Sequence, residues 1–303
     1  MSHTLIRLVA VDVDGTLLDS SDRLRAAVRD ALSQLHDCGV KVALATARGP
    51  KALRVIVSKL DFSPLLICFS GAWIGELDPI SLQSTNVLLD KRHTASVARS
   101  IVATALAHDF EPNVFTPDAW RVRTLTKEIQ AESEIIESPP LVTQDLLGND
   151  EEPNKILLIA SEGEPTKLLC ALASSLQPSS AAIFSKPNYL EIVPIGVNKA
   201  KALAKLAITL GVELSQVAAL GDGPNDVEML REAGLGIAMG NAPEAVKSAA
   251  DWITGTNDED GVAQAVRRLV TNGSVATLQE CFDKPGRYGP RTLSRRSVQM
   301  ARI

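Results

Sequence analysis

Asp12 and Asp14 stand two residues apart at the end of an apolar, β-branched run over residues 5–11. Side chains alternate along a strand, so a strand here sends both carboxylates to the same side at its carboxyl end. In open α/β sheets that edge is where ligands bind. A buried pair of like charges is costly unless a cation or a shared proton compensates it, which argues against a purely structural role. Gly15 permits the sharp exit from the strand that a side chain would obstruct.

A second carboxylate cluster, Gly221, Asp222, Gly223, Pro224, Asn225, Asp226, lies between a strand-like run at 217–220 and a helical pattern that Pro224 opens. Taken alone, Asp222 and Asp226 read equally as helix-start residues and as oxygen donors that meet Asp12 if the two strands are neighbours. Clustered carboxylates without a histidine partner suit a hard cation, Mg²⁺ ahead of zinc or copper. Lys199 falls in the first turn of a helix opening at Asn198, where the helix dipole disfavours a cation. It is either a solvated lysine or a charge justified by an anion such as phosphate at that helix start. Thr46 ends another apolar run. Its hydroxyl is either a polar strand end or a donor to a phosphoryl oxygen.

Elements that place these residues alternate in type. Strand-like runs at 5–11, 40–45 and 65–69 alternate with helical periods at 24–35 and 52–60, and Gly39 ends the first helix. The pattern returns as a helix over 198–210, a strand over 217–220, a helix after Pro224 and short apolar runs at 235–239 and 251–254. Such alternation predicts a parallel sheet covered by helices, a Rossmann-like doubly wound α/β core. Between the two blocks the texture changes. Helices near 95–107 and 166–175 mix with strands near 156–160 and 181–184, and a polar, loop-like stretch holds Pro139, Pro140, Gly148, Asn149, Asp150 and Glu151. The division predicted is a core of 1–84 and 187–271, an inserted α/β domain over 85–186, and a basic, poorly ordered tail over 272–303. Ser185, Lys186 and Asn188 at the return either face a ligand or form a hinge.

With 303 residues, two domains is the expectation. A net charge of -5 gives no footprint for nucleic acid or membrane, so a small-molecule partner is expected. Cys38, Cys68, Cys170 and Cys281 are too scattered for a disulfide framework or a zinc site, which fits reduced thiols. The run from Leu5 leaves no room for a signal peptide, and no apolar stretch is long enough for a membrane span. The expected location is cytoplasmic. No GxSxG, GxGxxG or GxxxxGK occurs, and His3, His36, His93 and His108 read as surface histidines.

Four ordered motifs are found together: DVDGTLL from Asp12, ATAR around Thr46, Lys199 on a helix start, and GDGPND from Gly221. With GLGIAMGNAPEAVKSAAD from Gly234 and EDGVA from Glu259, the chain resembles the haloacid dehalogenase superfamily, and within it the Cof-type phosphatases, over roughly its first 270 residues. The resemblance implies that Asp12 is a nucleophile forming an aspartyl-phosphate and Asp14 a general acid and base. It implies Mg²⁺ held by Asp12, the Asp14 backbone carbonyl and Asp222, with Asp226 supporting. It further implies that Thr46 and Lys199 bind the phosphoryl group, and that Asn225 contacts phosphate or orients Lys199. The inserted segment becomes a C2-type cap that selects the substrate, a small phosphorylated metabolite such as a sugar or cofactor phosphate.

The chemistry is coherent in its own right. Splitting hydrolysis into two in-line transfers lets a carboxylate attack and water release it, with a raised Asp14 pKa expected for the acid step. Two positions depart from the family pattern: Ala47 stands where glycine is usual, and Ser70 where asparagine is common. Rival readings on the same fold are a phosphomutase and a catalytically silent binding protein.

Overall fold

The computed structural model describes residues 5–78, 80–148, 151–161, 166–176 and 180–275. Its first sheet begins with β1 (Leu8–Asp12), β2 (Lys41–Ala45), β3 (Leu65–Cys68), β4 (Trp73–Leu77) and β5 (Ser84–Asp90). A second sheet holds β6 (Asn113–Phe115), β7 (Trp120–Val122), β8 (Leu141–Val142), β9 (Lys155–Ile159), β10 (Ser180–Lys186) and β11 (Tyr189–Pro194). The chain then returns to the first sheet as β12 (Val217–Gly221), β13 (Leu235–Ala238) and β14 (Trp252–Ile253). The principal helices are α1 (Ala26–Asp37), α2 (Arg54–Val57), α3 (Ala95–Ala107), α4 (Lys127–Ile135), α5 (Thr166–Ser175), α6 (Lys199–Leu210), α7 (Val227–Glu232), α8 (Glu244–Lys247) and α9 (Gly261–Thr271).

The first sheet runs in the order β14-β13-β12-β1-β2-β3-β4-β5. Its pairs from β14 to β3 are parallel, and β4 and β5 add an antiparallel edge. Every residue of β1 is buried because helices cover both faces. Val9 and Val11 pack with α1 and α9, while Leu8 and Ala10 face α6 and α7. This two-sided burial is why parallel strands read as unbroken apolar runs. Strand β1 lies between β12 and β2, so the order of connection reverses there, and a crevice opens beyond the strand ends at such a reversal.

The second sheet, in the order β10-β11-β9-β6-β7-β8, is antiparallel except where β7 meets β8. Period-two alternation sorts its side chains. Ile156, Leu158, Leu190 and Ile192 pack with α3 and α5, while Leu157, Tyr189, Val193, Phe115 and Trp120 face the first sheet's cluster. The fold is therefore a Rossmann-like α/β core with a cap domain, the class expected from the alternation of elements.

Several local expectations shift. Residues 84–90 form β5 on the first sheet and 189–194 form β11 on the second, so strand pairing changes sheets later than the texture of 85–186 implied. A hairpin strand carries no mark of which sheet it joins. The helix expected over 52–60 shortens to a 3₁₀ turn and α2. His93 is 3% exposed and bonds the Ile192 carbonyl, so it is a buried histidine, and burial holds its pKa below the ordinary value. Cys68 is a buried free thiol and Cys170 an exposed one, Cys38 is buried, and Cys281 lies outside the described residues. The tail expected after Thr271 is described only to Val275, and Asn149 and Asp150 also fall outside. Among the described residues no helix is long and apolar enough to cross a membrane.

Candidate active site

Strand β1 stops at Asp12, and the chain turns sharply through residues 13–17 with Gly15 at φ +78°. Asp14 is therefore on the turn rather than the strand, yet it lines the same cavity of about 360 Å³ as Asp12. Asp222 follows β12, the parallel neighbour of β1, and lines that cavity together with Asn225. Thr46, Lys199 and Asp226 are fully buried and do not line it.

Lys199 is the first residue of α6, whose start is capped by Asn198 accepting from the Lys201 amide. Its ammonium donates to Asp12 Oδ1 at 2.5 Å and Asp226 Oδ1 at 2.7 Å. The solvated-lysine reading is thereby excluded, and the anions that hold the charge at a helix start are two carboxylates. Burial opposes the charge, but those carboxylates outweigh it and raise the lysine pKa. Asp12 itself is pushed well above the ordinary carboxylate value, first by burial and then by the Asp226 charge. Its Oδ2 accepts no hydrogen bond among the described residues, which leaves that atom free at the cavity.

Asp226 anchors the loop after β12. Its Oδ2 accepts from the Asp222 and Gly223 amides while Oδ1 holds Lys199. Asp222 accepts from Thr16 Oγ1 at 2.9 Å and from Asn241 Nδ2 at 3.3 Å, and burial followed by the Asp226 charge pushes it up to about 6. Asp12, Asp222 and Asp226 each offer an oxygen within 4.8 Å of the others. Three carboxylates facing one ammonium leave an excess of negative charge, and the donors are all hard oxygens. Such a set fits a divalent cation of the Mg²⁺ type.

Thr46 closes β2, and its Oγ1 accepts the Arg48 amide at 3.0 Å, leaving the hydroxyl proton available. Arg48 was not singled out by sequence reasoning. Its guanidinium, 8% exposed as a residue, binds both oxygens of Asp14 through Nε at 3.1 Å and Oδ1 through Nη2 at 2.5 Å. Burial would raise the Asp14 pKa, but the Arg48 charge and hydrogen bonds outweigh it and hold Asp14 below the ordinary range. The raised value expected for Asp14 does not hold in this state, because its neighbour is a cation. A usable signal was available: an arginine three residues beyond a buried strand end.

Asn241 was also missed. It ties Asp222 to the Gly15 carbonyl and sits in the Gly240, Asn241, Ala242 turn. Asn225 makes no bond to Lys199, whose partners are Asp12 and Asp226. Ser185 and Lys186 line the cavity at the end of β10, whereas Asn188 donates to the Ala160 carbonyl. Ala47 gives its carbonyl to Lys155, and Ser70, at φ +55°, donates to Glu191, so both departures from the family pattern meet the second sheet.

Residues 9–266 match the family model for haloacid dehalogenase-like hydrolases. A 5-amino-6-(5-phospho-D-ribitylamino)uracil phosphatase of Bacillus subtilis is 30% identical over 275 residues, covering 88% of this chain and 96% of the relative. An HMP-PP phosphatase of Yersinia enterocolitica is 28% identical, covering 88% and 97%. The solved structure of a haloacid dehalogenase-like hydrolase from B. subtilis is similar with a TM-score of 0.78 at 28% identity, covering 87% of this chain and all of that one.

Proposed function

We propose that this chain, which belongs to the haloacid dehalogenase-like hydrolase family and is a phosphatase, hydrolyses small phosphate monoesters through an aspartyl-phosphate on Asp12. The observation that carries the reading is the free Oδ2 of Asp12, set at a strand end beside Asp222 while Lys199 holds the other oxygen. A carboxylate so placed is an in-line nucleophile for a phosphoryl group in the cavity. Asp12, the Asp14 backbone carbonyl and Asp222 would hold Mg²⁺. Asp226, with both oxygens already engaged, supports the site by fixing Lys199 and the Asp222 loop. When bound, the metal supplies neutralising charge to the phosphoryl oxygens.

The protein's own groups do the rest. Two of the three Lys199 N–H bonds go to carboxylates, so one remains for a phosphoryl oxygen, and the free proton of Thr46 offers another donor. Asn225, at the cavity wall, is within the same reading a phosphate contact. Asp14 gives its proton to the leaving alcohol and then takes one from the water that attacks the phosphorus of the acyl phosphate. To carry that proton Asp14 must first part from Arg48, for which an incoming phosphate dianion is a competing partner. The second sheet, with its helices, serves as the cap that closes the cavity and meets the leaving group. A cytoplasmic location fits the free thiols of Cys68 and Cys170 and a small phosphorylated metabolite as substrate.

The test is phosphate release from a panel of metabolite phosphates, with and without Mg²⁺, for wild type and Asp12→Asn. The expected result is Mg²⁺-dependent release that falls about a thousandfold or more in the variant, with the circular dichroism unchanged. Release by Asp12→Asn at the wild-type rate would sink the nucleophile. Phosphate moved between positions without release would point to a mutase, and binding without either reaction to a silent protein.

A further inference from the structure

Two charged side chains of the second sheet are buried in the wall of the active-site cavity, and the phosphatase chemistry does not use them. Lys155 opens β9 and Glu191 lies in β11, and both line the cavity with side chains only 5% and 2% exposed. Glu191 pairs with Leu157 across the two strands, so Lys155 is its diagonal neighbour on the face turned toward the first sheet.

Each is held from one side and left open on another. The Lys155 ammonium donates to the Ala47 carbonyl at 2.7 Å and rests against the Phe115 ring, 4.8 Å from its centroid. Glu191 Oε2 accepts from Ser70 Oγ at 2.8 Å. Between them the Lys155 Nζ to Glu191 Oε1 separation is 3.8 Å, too long for a hydrogen bond. The ammonium has three N–H groups and uses one in a hydrogen bond, and Oε1 accepts none among the described residues. The two form a buried ion pair whose charges compensate one another, while neither fills its hydrogen-bonding capacity on the other. A group that accepts from an ammonium and donates to a carboxylate satisfies both, and a hydroxyl does so with a single atom.

We infer that Lys155 and Glu191 together read a hydroxyl of the leaving group, so that an ester carrying one is bound in preference to an apolar ester of the same length. The inference rests on the phosphatase reading for the position of the phosphate. Lys155 touches the carbonyl next to Thr46, so the hydroxyl it binds lies close to the scissile ester. Ala47 and Ser70 gain a role, as the core residues that fix the two charges in place.

The experiment compares glycerol 3-phosphate with propyl phosphate, which differ only in hydroxyls, as ligands of the full-length Asp12→Asn protein with Mg²⁺. Calorimetry reads the ratio of their Kd values, without turnover. The expected ratio favours glycerol 3-phosphate by about tenfold or more, and Lys155→Met or Glu191→Gln in the same background cuts that preference by about tenfold. Glu191→Gln keeps the shape and the Ser70 contact, so it answers the question should Lys155→Met fail to fold. A ratio near one in the parent overturns the inference, as does a ratio unchanged in the variants. An equal loss for both esters overturns it too, because that is the signature of a strut between sheets. Wild-type protein that releases no phosphate from any ester contradicts the proposed function separately, while the ratio still reports on Lys155 and Glu191.

Discussion

At the scale of single residues, the centre of the site is an imbalance of charge. Asp12, Asp222 and Asp226 cluster beside one ammonium, which bonds Asp12 and Asp226, and the two that line the cavity are both raised in pKa. The sign of the resulting pH dependence follows directly. Between the ordinary carboxylate value near about 4 and the Asp222 value of about 6, the folded protein keeps a proton that the unfolded chain has lost. The folded state binds more protons in that window, so without metal its stability falls as pH rises through it and stays reduced above it. Thermal unfolding in chelator across pH 4.5–7, compared with Asp222→Asn, is expected to show the fall in wild type and a smaller one in the variant, to order of magnitude. Mg²⁺ added at neutral pH is expected to restore more stability to wild type than to the variant. Parallel curves in chelator would contradict the assignment.

At the scale of elements, the turn after β1 does what the strand alone does not. Asp12 is the last residue of the strand, and the backbone reverses hand at Gly15 to bring Asp14 back to the cavity. A Cβ on Gly15 would have three Asp222 carboxyl atoms within 3.0 Å, and its φ of +78° is strained for any side chain. Gly15→Ala is therefore expected to push Asp222 out of place. Displacement of a reacting group by about 1 Å costs on the order of a hundredfold in kcat/KM, with a stability loss of about 1–3 kcal/mol. Steady-state kinetics beside denaturant unfolding checks it, and unaltered turnover would mean that the loop absorbs the methyl elsewhere.

At the scale of the whole molecule, one apolar cluster joins the two sheets. Phe69, Ala72 and Trp73 of the core share it with Phe115, Trp120, Leu157 and Val193 of the cap. Phe115 links the two sides at the cavity wall, stacked on Trp120 at 5.2 Å and tilted against Phe69 at 6.3 Å. Because that cluster is continuous, the two sheets are expected to unfold in a single calorimetric transition. Phe115→Ala is expected to cost about 3–5 kcal/mol and to loosen the coupling. Two well-separated transitions in wild type would show that the cap stands alone.

The local placement of the proposed site residues was legible in the sequence because strand alternation, capping and loop glycines are local rules: Asp12 at a strand end, Lys199 after an Asn198 cap, Asp226 in the first turn after Pro224. The core's order of elements was legible for the same reason, since parallel strands covered on both faces leave unbroken apolar runs. Pairing across long separations was not. An arginine just past a buried strand end marks Arg48 as a candidate but does not say that its partner is Asp14, and nothing near 155 or 191 announces that their charges meet over the Ala47 and Ser70 loops. Nor does a hairpin strand such as β5 declare its sheet. Sequence thus determined which groups could do chemistry and on which elements they stand. Tertiary structure alone decided which charges face each other, because burial and Coulomb terms depend on distances that chain order does not contain.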